Sequence, residues 1–590
     1  MLFPYLRALG PYFRRYKNVL LGGYLWVILR SASALAIPWL LKRGIDRLTT
    51  NTATAQSLMV DGAWIFAAAV VSGLFLFGMR WSLIGLSRKI EYDVRNDYFS
   101  HLIHLSLPFF LRNRTGDLMA RATNDLNAVR DVLGPGVMYS LNTSTVVLSS
   151  MVLMIQIDWI LALAALAPVP ILAFMTARFA REMHHRSLVV QDQYGELSNT
   201  AQENLAGIRV VQSYGQESHE TAHFAAMSKT YLDRNMDLVR YRSAFTSTTS
   251  VLTGLGSVIL LWLGGSRVIA GHVTLGELVA FMSYLSLLTW PFISIGWIIS
   301  VIQRGEAAMK RMLETWELVP EVADGTRPVP EGPRTIRFED VGFRYAGGPW
   351  ALRHIDLEIP GGQTVAIVGR TAAGKSSLIQ LLARLFDPEE GRITLDGIDI
   401  REFRLADLRA LVGMVPQESF LFSDTLEQNL RFGRADASSE EIADAVERAQ
   451  MTKEVEGFPR GLDTRIGERG ITLSGGQRQR MSLARALLKD PDILILDDSL
   501  SAVDKVTEEQ LLSAITETRK KQTLFLIAHR ISTVRRADQI LVIDQGAIVE
   551  RGTHDELLAE NGFYARMVQQ QEIEEAWTES IEQADGERLQ

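Results

Sequence analysis

TVAIVGRTAAGKSSL, residues 364–378, runs from small and β-branched apolar residues into a glycine, and from there into Gly374-Lys375-Ser376. Val365, Ala366, Ile367 and Val368 suit a buried strand. Gly369 to Ser376 fits G-x-x-x-x-G-K-[ST], the phosphate-binding loop, with a helix opening at Ser376-Ser377-Leu378. The backbone N–H groups of Gly369, Arg370, Thr371, Ala372, Ala373 and Gly374 would form an anion nest, and the helix start adds its positive dipole end. Lys375 would reach the β- and γ-phosphates as a point charge, and the Ser376 hydroxyl would ligate Mg²⁺. The plain alternative is an ordinary strand–turn–helix, and the flanking sequence decides against it.

On either side of the loop the pattern is that of an α/β domain. IRFEDVGFRY (336–345) and ALRHIDLEI (351–359) alternate as strands, and GRITLDGIDI (391–400) is a hairpin around Asp396-Gly397. ILIL (493–496), ending in Asp497-Asp498, and LFLIA (524–528), ending in His529, read as parallel strands whose carboxyl ends converge on a ligand. Asp497 suits a Mg²⁺-coordinating carboxylate, and Asp498 stands where a base or water-orienting group would. His529 could hydrogen-bond a γ-phosphate or be a satisfied strand-end histidine. Gln417, in GMVPQESFLF, could sense metal and water. In LSGGQRQRMSLARALL (473–488), Ser474 with the N–H groups of Gly475 and Gly476 offers a second phosphate-binding helix start. Two such features so far apart are more than one nucleotide in one chain needs.

The first half is of another kind. At 590 residues the chain exceeds one core, and 47% hydrophobic beside 22% charged residues averages two unlike halves. A net charge of −7 argues against a nucleic-acid partner, and the absence of cysteine excludes disulfides and thiolate chemistry. No cleavable signal layout opens the chain; residues 3–16 instead suggest a short interfacial helix with Arg14, Arg15 and Lys17 after it. Six apolar segments follow, at about 18–41, 63–79, 136–157, 159–180, 251–271 and 275–302, each near the ~20 residues that cross a bilayer. Short links join the third to the fourth, at Asp158, and the fifth to the sixth. The long links 80–135 and 181–250 carry Arg88, Lys89, Arg95, Arg112, Arg114 and Arg121, which makes their side, with the N-terminus, cytoplasmic. Arg43 and Arg47 run against that rule. Within the long links, breaks at Thr115-Gly116 and Gly215 suggest transverse segments near 115–125 and 214–221 that dock on a cytoplasmic domain. Arg30 and Arg80 lie in or beside apolar spans, where an unpaired cation costs about 2.5–3.5 kcal/mol on insertion scales. Arg80 can snorkel; Arg30 is central and is the better candidate for a translocation path.

LSGGQ, the phosphate loop and LILDD, in this order, resemble the ATP-binding cassette (ABC) family, and the likeness to a type I exporter half-transporter covers about residues 1–570. The resemblance implies an α-helical six-span transmembrane domain (1–321), a Pro- and Gly-rich linker (322–335) and an α/β P-loop ATPase domain with an antiparallel β-subdomain and a helical subdomain (336–571). The acidic tail, 572–590, lies outside it. By resemblance, Tyr345 stacks on adenine, Gln417 is the glutamine loop, Glu468 lies in the exporter-type loop before the signature, Asp504 is in the dimer-contact loop and His529 is the switch histidine. Two cassettes then pair head to tail, so that each nucleotide lies between one chain's phosphate loop and the other's Ser474, Gly475, Gly476 and Gln477. The implied activity is MgATP hydrolysis driving export of an amphipathic drug or lipid across a bacterial plasma (inner) membrane. An importer on the same fold and an ATP-gated channel or regulator are the alternatives.

Two residues depart from the family pattern. Ala372 stands where a glycine is usual, and Asp498, one methylene shorter, stands where the family has its catalytic Glu. Such chains are commonly the weakly hydrolysing member of a heterodimer, so the implied partner is a different half-transporter with Glu at this position.

Overall fold

The computed structural model describes residues 4–467, 473–518, 522–528 and 530–573. Glu468, His529 and nearly all of the acidic tail lie outside the described residues. The chain forms two compact units, Met1–Ile103 with Thr115–Leu318, and His104–Arg114 with Val319–Gln590.

The first unit is helical. Lys17–Thr49, Ala55–His104, Thr115–Ile157, Glu217–Ile269 and Leu275–Trp316 are each long and apolar enough to cross a membrane. The remaining expected span, 159–180, is carried by two helices, Trp159–Leu166 and Pro168–Ala206, parted at Ala167 in front of Pro168. Pro135 is absorbed differently, in a wide π-type turn over Val132–Gly136 that keeps Thr115–Ile157 one helical run. The N-terminal segment is a 3₁₀ turn, Tyr5–Leu9, and a short helix, Gly10–Arg15. It is tied to the bundle by polar contacts: Glu306 accepts from the Tyr5 and Leu6 N–H groups, and Asp93 pairs with Arg15 at 3.0 Å.

At the hairpin end the misplaced basic residues are accounted for. Buried Asp61 takes Arg47 at 2.7 Å and Arg43 at 3.7 Å, and Lys42 pairs with Glu277 at 2.9 Å. Asp158 does two jobs there. One carboxylate oxygen caps the following helix at the Ile160 and Leu161 N–H groups, and the other accepts from Arg267 Nε at 2.7 Å. Asp158→Ala removes the cap and strands the Arg267 cation, and is expected to destabilise the chain by about 2–4 kcal/mol. Thermal unfolding in detergent reads this; an unchanged midpoint would refute the dual role.

The other end corrects the expected positions of the transverse segments. The first is the helix Leu107–Arg112, between breaks at Leu105-Ser106 and Asn113-Arg114, so that Thr115 begins the returning helix and Gly116 lies inside it. Ser106 holds the N-cap position without a side-chain cap bond, and Pro108 in the first turn suits that start. The second is Ile208–Ser213, between Gly207 and Gly215, of which Gly215 sits at φ +62°. Phe281 is fully buried in the helix-packing core with Leu260, Tyr284 and Leu288.

The second unit has two sheets. β1 (Ile336–Arg344), β2 (Trp350–Ile359), β4 (Glu390–Leu395) and β5 (Ile398–Asp399) make an antiparallel sheet in the order β2-β1-β4-β5. The β4–β5 turn has Asp396 at φ +51° and Gly397 at φ +79°, the hairpin geometry expected of Asp-Gly. β3 (Thr364–Val368), β6 (Val412–Val415), β7 (Ile493–Asp497), β8 (Thr523–Ile527), β9 (Gln539–Asp544) and β10 (Ala547–Gly552) form the second sheet, in the order β10-β9-β3-β8-β7-β6 and parallel except for β10. Phe338, Ile355, Leu378, Leu381 and Phe525 belong to the apolar core that both sheets share. The helices Leu426–Arg431, Ser439–Arg448 and Gly475–Leu488 close a separate core around Leu430, Ile442 and Met481.

The stretch 322–335 is fastened to this unit. Fully buried Arg384 donates to Ala323 O at 2.7 Å and Phe403 O at 3.3 Å, and Arg327 pairs edge to edge with Phe403. Leu107 packs on the core of the sheets, and Ser106 Oγ accepts from the Val322 N–H at 2.9 Å.

Candidate nucleotide-binding site

β3, near the middle of its sheet, delivers the chain to Gly369, whose φ is +149° and where a Cβ would stand 2.1 Å from Ile543 O. Glycine is required there by both backbone and space. The loop turns back through Ala372 at φ +63° and Gly374 at φ +107°, the cap of the helix Lys375–Leu382. A left-handed alanine is strained by about 1–2 kcal/mol, whereas glycine would lose about 0.4–1 kcal/mol through the unfolded chain. Ala372→Gly is therefore expected to stabilise the chain by roughly 0.5–1 kcal/mol; a lowered unfolding midpoint would contradict it.

Lys375 is buried, and its ammonium donates to Gly369 O at 2.8 Å and Arg370 O at 2.9 Å, filling the hollow of the loop. Burial pushes its pKa below the ordinary lysine value, against the pull of the Asp498 and Asp497 carboxylates. Ser376 Oγ donates to Asp497 Oδ1 at 3.2 Å. A hydroxyl beside a buried carboxylate is a hard-oxygen pair that fits Mg²⁺. No cluster of three or more His, Cys, Asp or Glu occurs among the described residues, so phosphate oxygens would complete such a site.

Asp498 follows at φ +46°, its N–H donating to Ile527 O at 2.9 Å and its carbonyl accepting from Ser501 Oγ at 3.0 Å. It opens on a cavity of about 140 Å³ shared with Ser499, Glu508 and Arg530. Tyr345 packs edge-on against Phe343 and Phe386, and its hydroxyl meets Ser377 Oγ and Gln380 Oε1 at 3.0 Å each. Burial raises its pKa, and 39% of the residue stays exposed beside the loop. Arg370 lies over the Phe563 ring at 5.4 Å, Thr371 and Gln417 are exposed, and Ala373 is buried. The structure thus gathers Tyr345, Lys375, Ser376, Ser377, Asp497 and Asp498 around one loop.

Ser474 to Gln477 form a separate feature. The Ser474 hydroxyl accepts from the Gln477 N–H at 3.2 Å and Gln477 Oε1 accepts from the Ser474 N–H at 2.9 Å, a reciprocal cap. The Gly475 and Gly476 N–H groups, in the first turn, have no intrahelical partner. A Cβ on Gly476 would meet Ala502 O at 2.8 Å. Asp504 caps the helix Lys505–Thr518 at the Thr507 N–H, at 2.9 Å, which holds its carboxyl below the usual range.

Two participants escape motif reading. Gln479 donates to Ser501 Oγ at 3.2 Å and accepts from the Ala502 N–H at 2.9 Å, so it ties the Ser474 helix to the segment that holds Asp498. Buried Glu508 bonds both Arg530 and Thr533, and Arg530 also donates to Val503 O at 3.1 Å. The only sequence signal for either is polarity on an apolar helix face.

Comparison with known proteins identifies the family. Residues 20–292 match the family model of the ABC transporter transmembrane region, and residues 352–501 that of the ABC transporter. A probable multidrug resistance ABC transporter ATP-binding/permease protein of Bacillus subtilis is 37% identical over 97% of this chain and 98% of its own length. An ATP-dependent lipid A-core flippase of Chromohalobacter salexigens is 33% identical over 96% of this chain and 97% of its own. In three dimensions a bacterial Atm1-family ABC exporter with ATP bound superposes with a TM-score of 0.80 at 29% identity, covering 94% of this chain and 99% of that one. Exporters of this kind act as dimers. The chain belongs to the ABC transporter family and is a membrane-embedded, nucleotide-binding ATPase of the exporter type.

Proposed function

We propose that this chain is the weakly hydrolysing half of a heterodimeric exporter of amphipathic molecules, paired with a different half-transporter that has Glu where this chain has Asp498. The observation that carries the reading is a phosphate loop with its lysine and metal carboxylate in place beside a shortened carboxylate. Lys375, Ser376 and Asp497 are in place, while Asp498 hangs from a fixed backbone. In this reading MgATP binds this chain's loop, with Ser376 and Asp497, aided by Gln417, holding the metal and Tyr345 under the adenine. His529 would meet the γ-phosphate, and Glu468 and Asp504 would lie at the contact between cassettes. Ser474, Gly475, Gly476 and Gln477 would complete the partner's site, where turnover is fast. The capped helix start at Ser474, an exposed residue with half-buried Gly475 and Gly476 after it, supports this.

Closure of the cassettes would be passed to the bundle by Leu107–Arg112 and Ile208–Ser213. Transport then requires nucleotide to favour the closed pair over the open one, since equal affinity for both would move nothing. Arg88, Lys89, Arg95, Arg112 and Arg114 near the cassette end of the helices support a bacterial inner membrane with N-terminus and cassette cytoplasmic. The test is MgATP hydrolysis by the full chain purified alone, with oligomeric state followed by light scattering. Near-inactivity is expected. Brisk turnover by a dimer of this chain would end the heterodimer reading.

A further inference from the structure

Apolar segments 18–41, 63–79, 136–157, 159–180 and 251–271 contain no carboxylate, and the one in 275–302, Glu277, is taken by Lys42. At the hairpin end, Arg43, Arg47 and Arg267 likewise have Asp61 or Asp158 as counter-ion. Arg30 has none. It lies roughly 20 Å along its helix from Lys17, midway through the first span. Its Nη1 donates at 2.5 Å to Oδ1 of Asn142, a buried neutral side chain on the helix Val137–Ile157. Its Nε is buried without a hydrogen-bond partner, while the residue as a whole is only half-buried. Asn142 therefore aims the guanidinium and leaves its charge uncompensated.

The surroundings repeat the pattern. Gly23 packs against Leu83 and Gly78 against the Trp26 ring, which sets Arg80, an exposed residue, about one and a half turns from Arg30. Thr143 meets Ser294 at 3.2 Å beside Asn142, and the buried Ser31 hydroxyl lacks a partner. Tyr139 and Trp297 sit edge to face at 5.4 Å close by in sequence. Structural ion pairs in this bundle are made with carboxylates; here two cations, neutral hydrogen-bonding groups and aromatic rings lie in neighbouring turns with no carboxylate paired to them among the described residues. An intramembrane cation so placed faces a ligand or a wet cavity, and a guanidinium fork matches the paired oxygens of an oxyanion.

We propose that Arg30, aimed by Asn142 and reinforced by Arg80, binds the anionic head of the transported molecule, so that the cargo is an amphiphile bearing a phosphate, sulfate or carboxylate rather than a cation. This rests on the exporter reading above and narrows its substrate class. The apolar tail would lie against the aromatic residues.

The experiment measures equilibrium binding of dodecyl phosphate and of dodecyltrimethylammonium, below their micelle concentrations, to the full-length chain in phosphatidylcholine nanodiscs by tryptophan fluorescence. Dodecyl phosphate is expected to bind at least tenfold more tightly, and Arg30→Gln to erase that preference. Asn142→Asp hands Arg30 an internal counter-ion at the distance already spanned, and is expected to erase it with the helix contacts kept; this variant carries the test if Arg30→Gln does not fold. Equal binding of both amphiphiles by the wild type, an unchanged preference in Asn142→Asp, or inorganic phosphate binding as tightly as dodecyl phosphate would each overturn the proposal. Tighter binding of the cationic amphiphile would overturn it and leave the exporter reading standing. Binding of neither amphiphile would instead defeat the amphipathic-cargo reading.

Discussion

Asp498→Glu is expected to raise MgATP turnover of the isolated chain by about twentyfold to a hundredfold. The bonds from the Asp498 N–H to Ile527 O and from Ser501 Oγ to the Asp498 carbonyl fix the backbone on both sides of the residue. The carboxylate's reach is then set by side-chain length alone, and a misplacement of about 1 Å can cost on the order of a hundredfold. One opposing effect is set by φ +46°, a left-handed conformation that Asp tolerates better than Glu. That penalty, about 1 kcal/mol or less, removes up to a factor of roughly five. Initial hydrolysis rates decide the matter. A variant no faster than the wild type would mean that the short carboxylate is not what limits this site.

Lys375→Met is expected to weaken ATP binding to this chain by at least about a hundredfold. Without nucleotide the ammonium is occupied by Gly369 O and Arg370 O, two neutral acceptors that only partly offset its burial. A phosphate brings a full opposite charge, worth roughly 4 kcal/mol at 4 Å for an effective dielectric of 20. The two carbonyl bonds given up return about 1 kcal/mol, so roughly 3 kcal/mol remains. Lys375→Arg is expected not to rescue, because the planar guanidinium cannot enter a hollow that fits a compact ammonium. Fluorescent-nucleotide titration of the full chain reads both variants, and less than a threefold loss in the methionine variant would contradict the assignment of the charge.

The strands, the phosphate loop and the Asp-Gly hairpin were legible because each depends on a few neighbouring residues with one dominant preference. The reciprocal cap of Ser474 and Gln477 was equally legible, since S-x-x-Q at a helix start is a local signal. The transverse helices were misjudged because Gly116 looked like a break, while Ser106 and Pro108, a stronger start signal, lay upstream. That Phe281 packs in the bundle core was not legible, because the side of a helix facing its neighbours is fixed by packing rather than by composition. Gln479 was invisible for a related reason: its partners, Ser501 and Ala502, are brought to it by the fold across another strand. Arg30 was conspicuous from its cost alone, but Asn142 as its neutral partner required the bundle.

Leu107 has a consequence for how the chain is made. It is part of the second unit, packed on a core that includes Phe403, Ile495 and Ile543. A ribosome releases Leu107 long before that core exists, roughly 430 residues ahead of Ile543, or about 20 to 90 s at ordinary elongation rates. During that interval the helix must wait undocked between two membrane insertions. Completion of the second unit is therefore a late event in the chain's synthesis, and a chain truncated after the bundle would leave this apolar residue permanently without its seat.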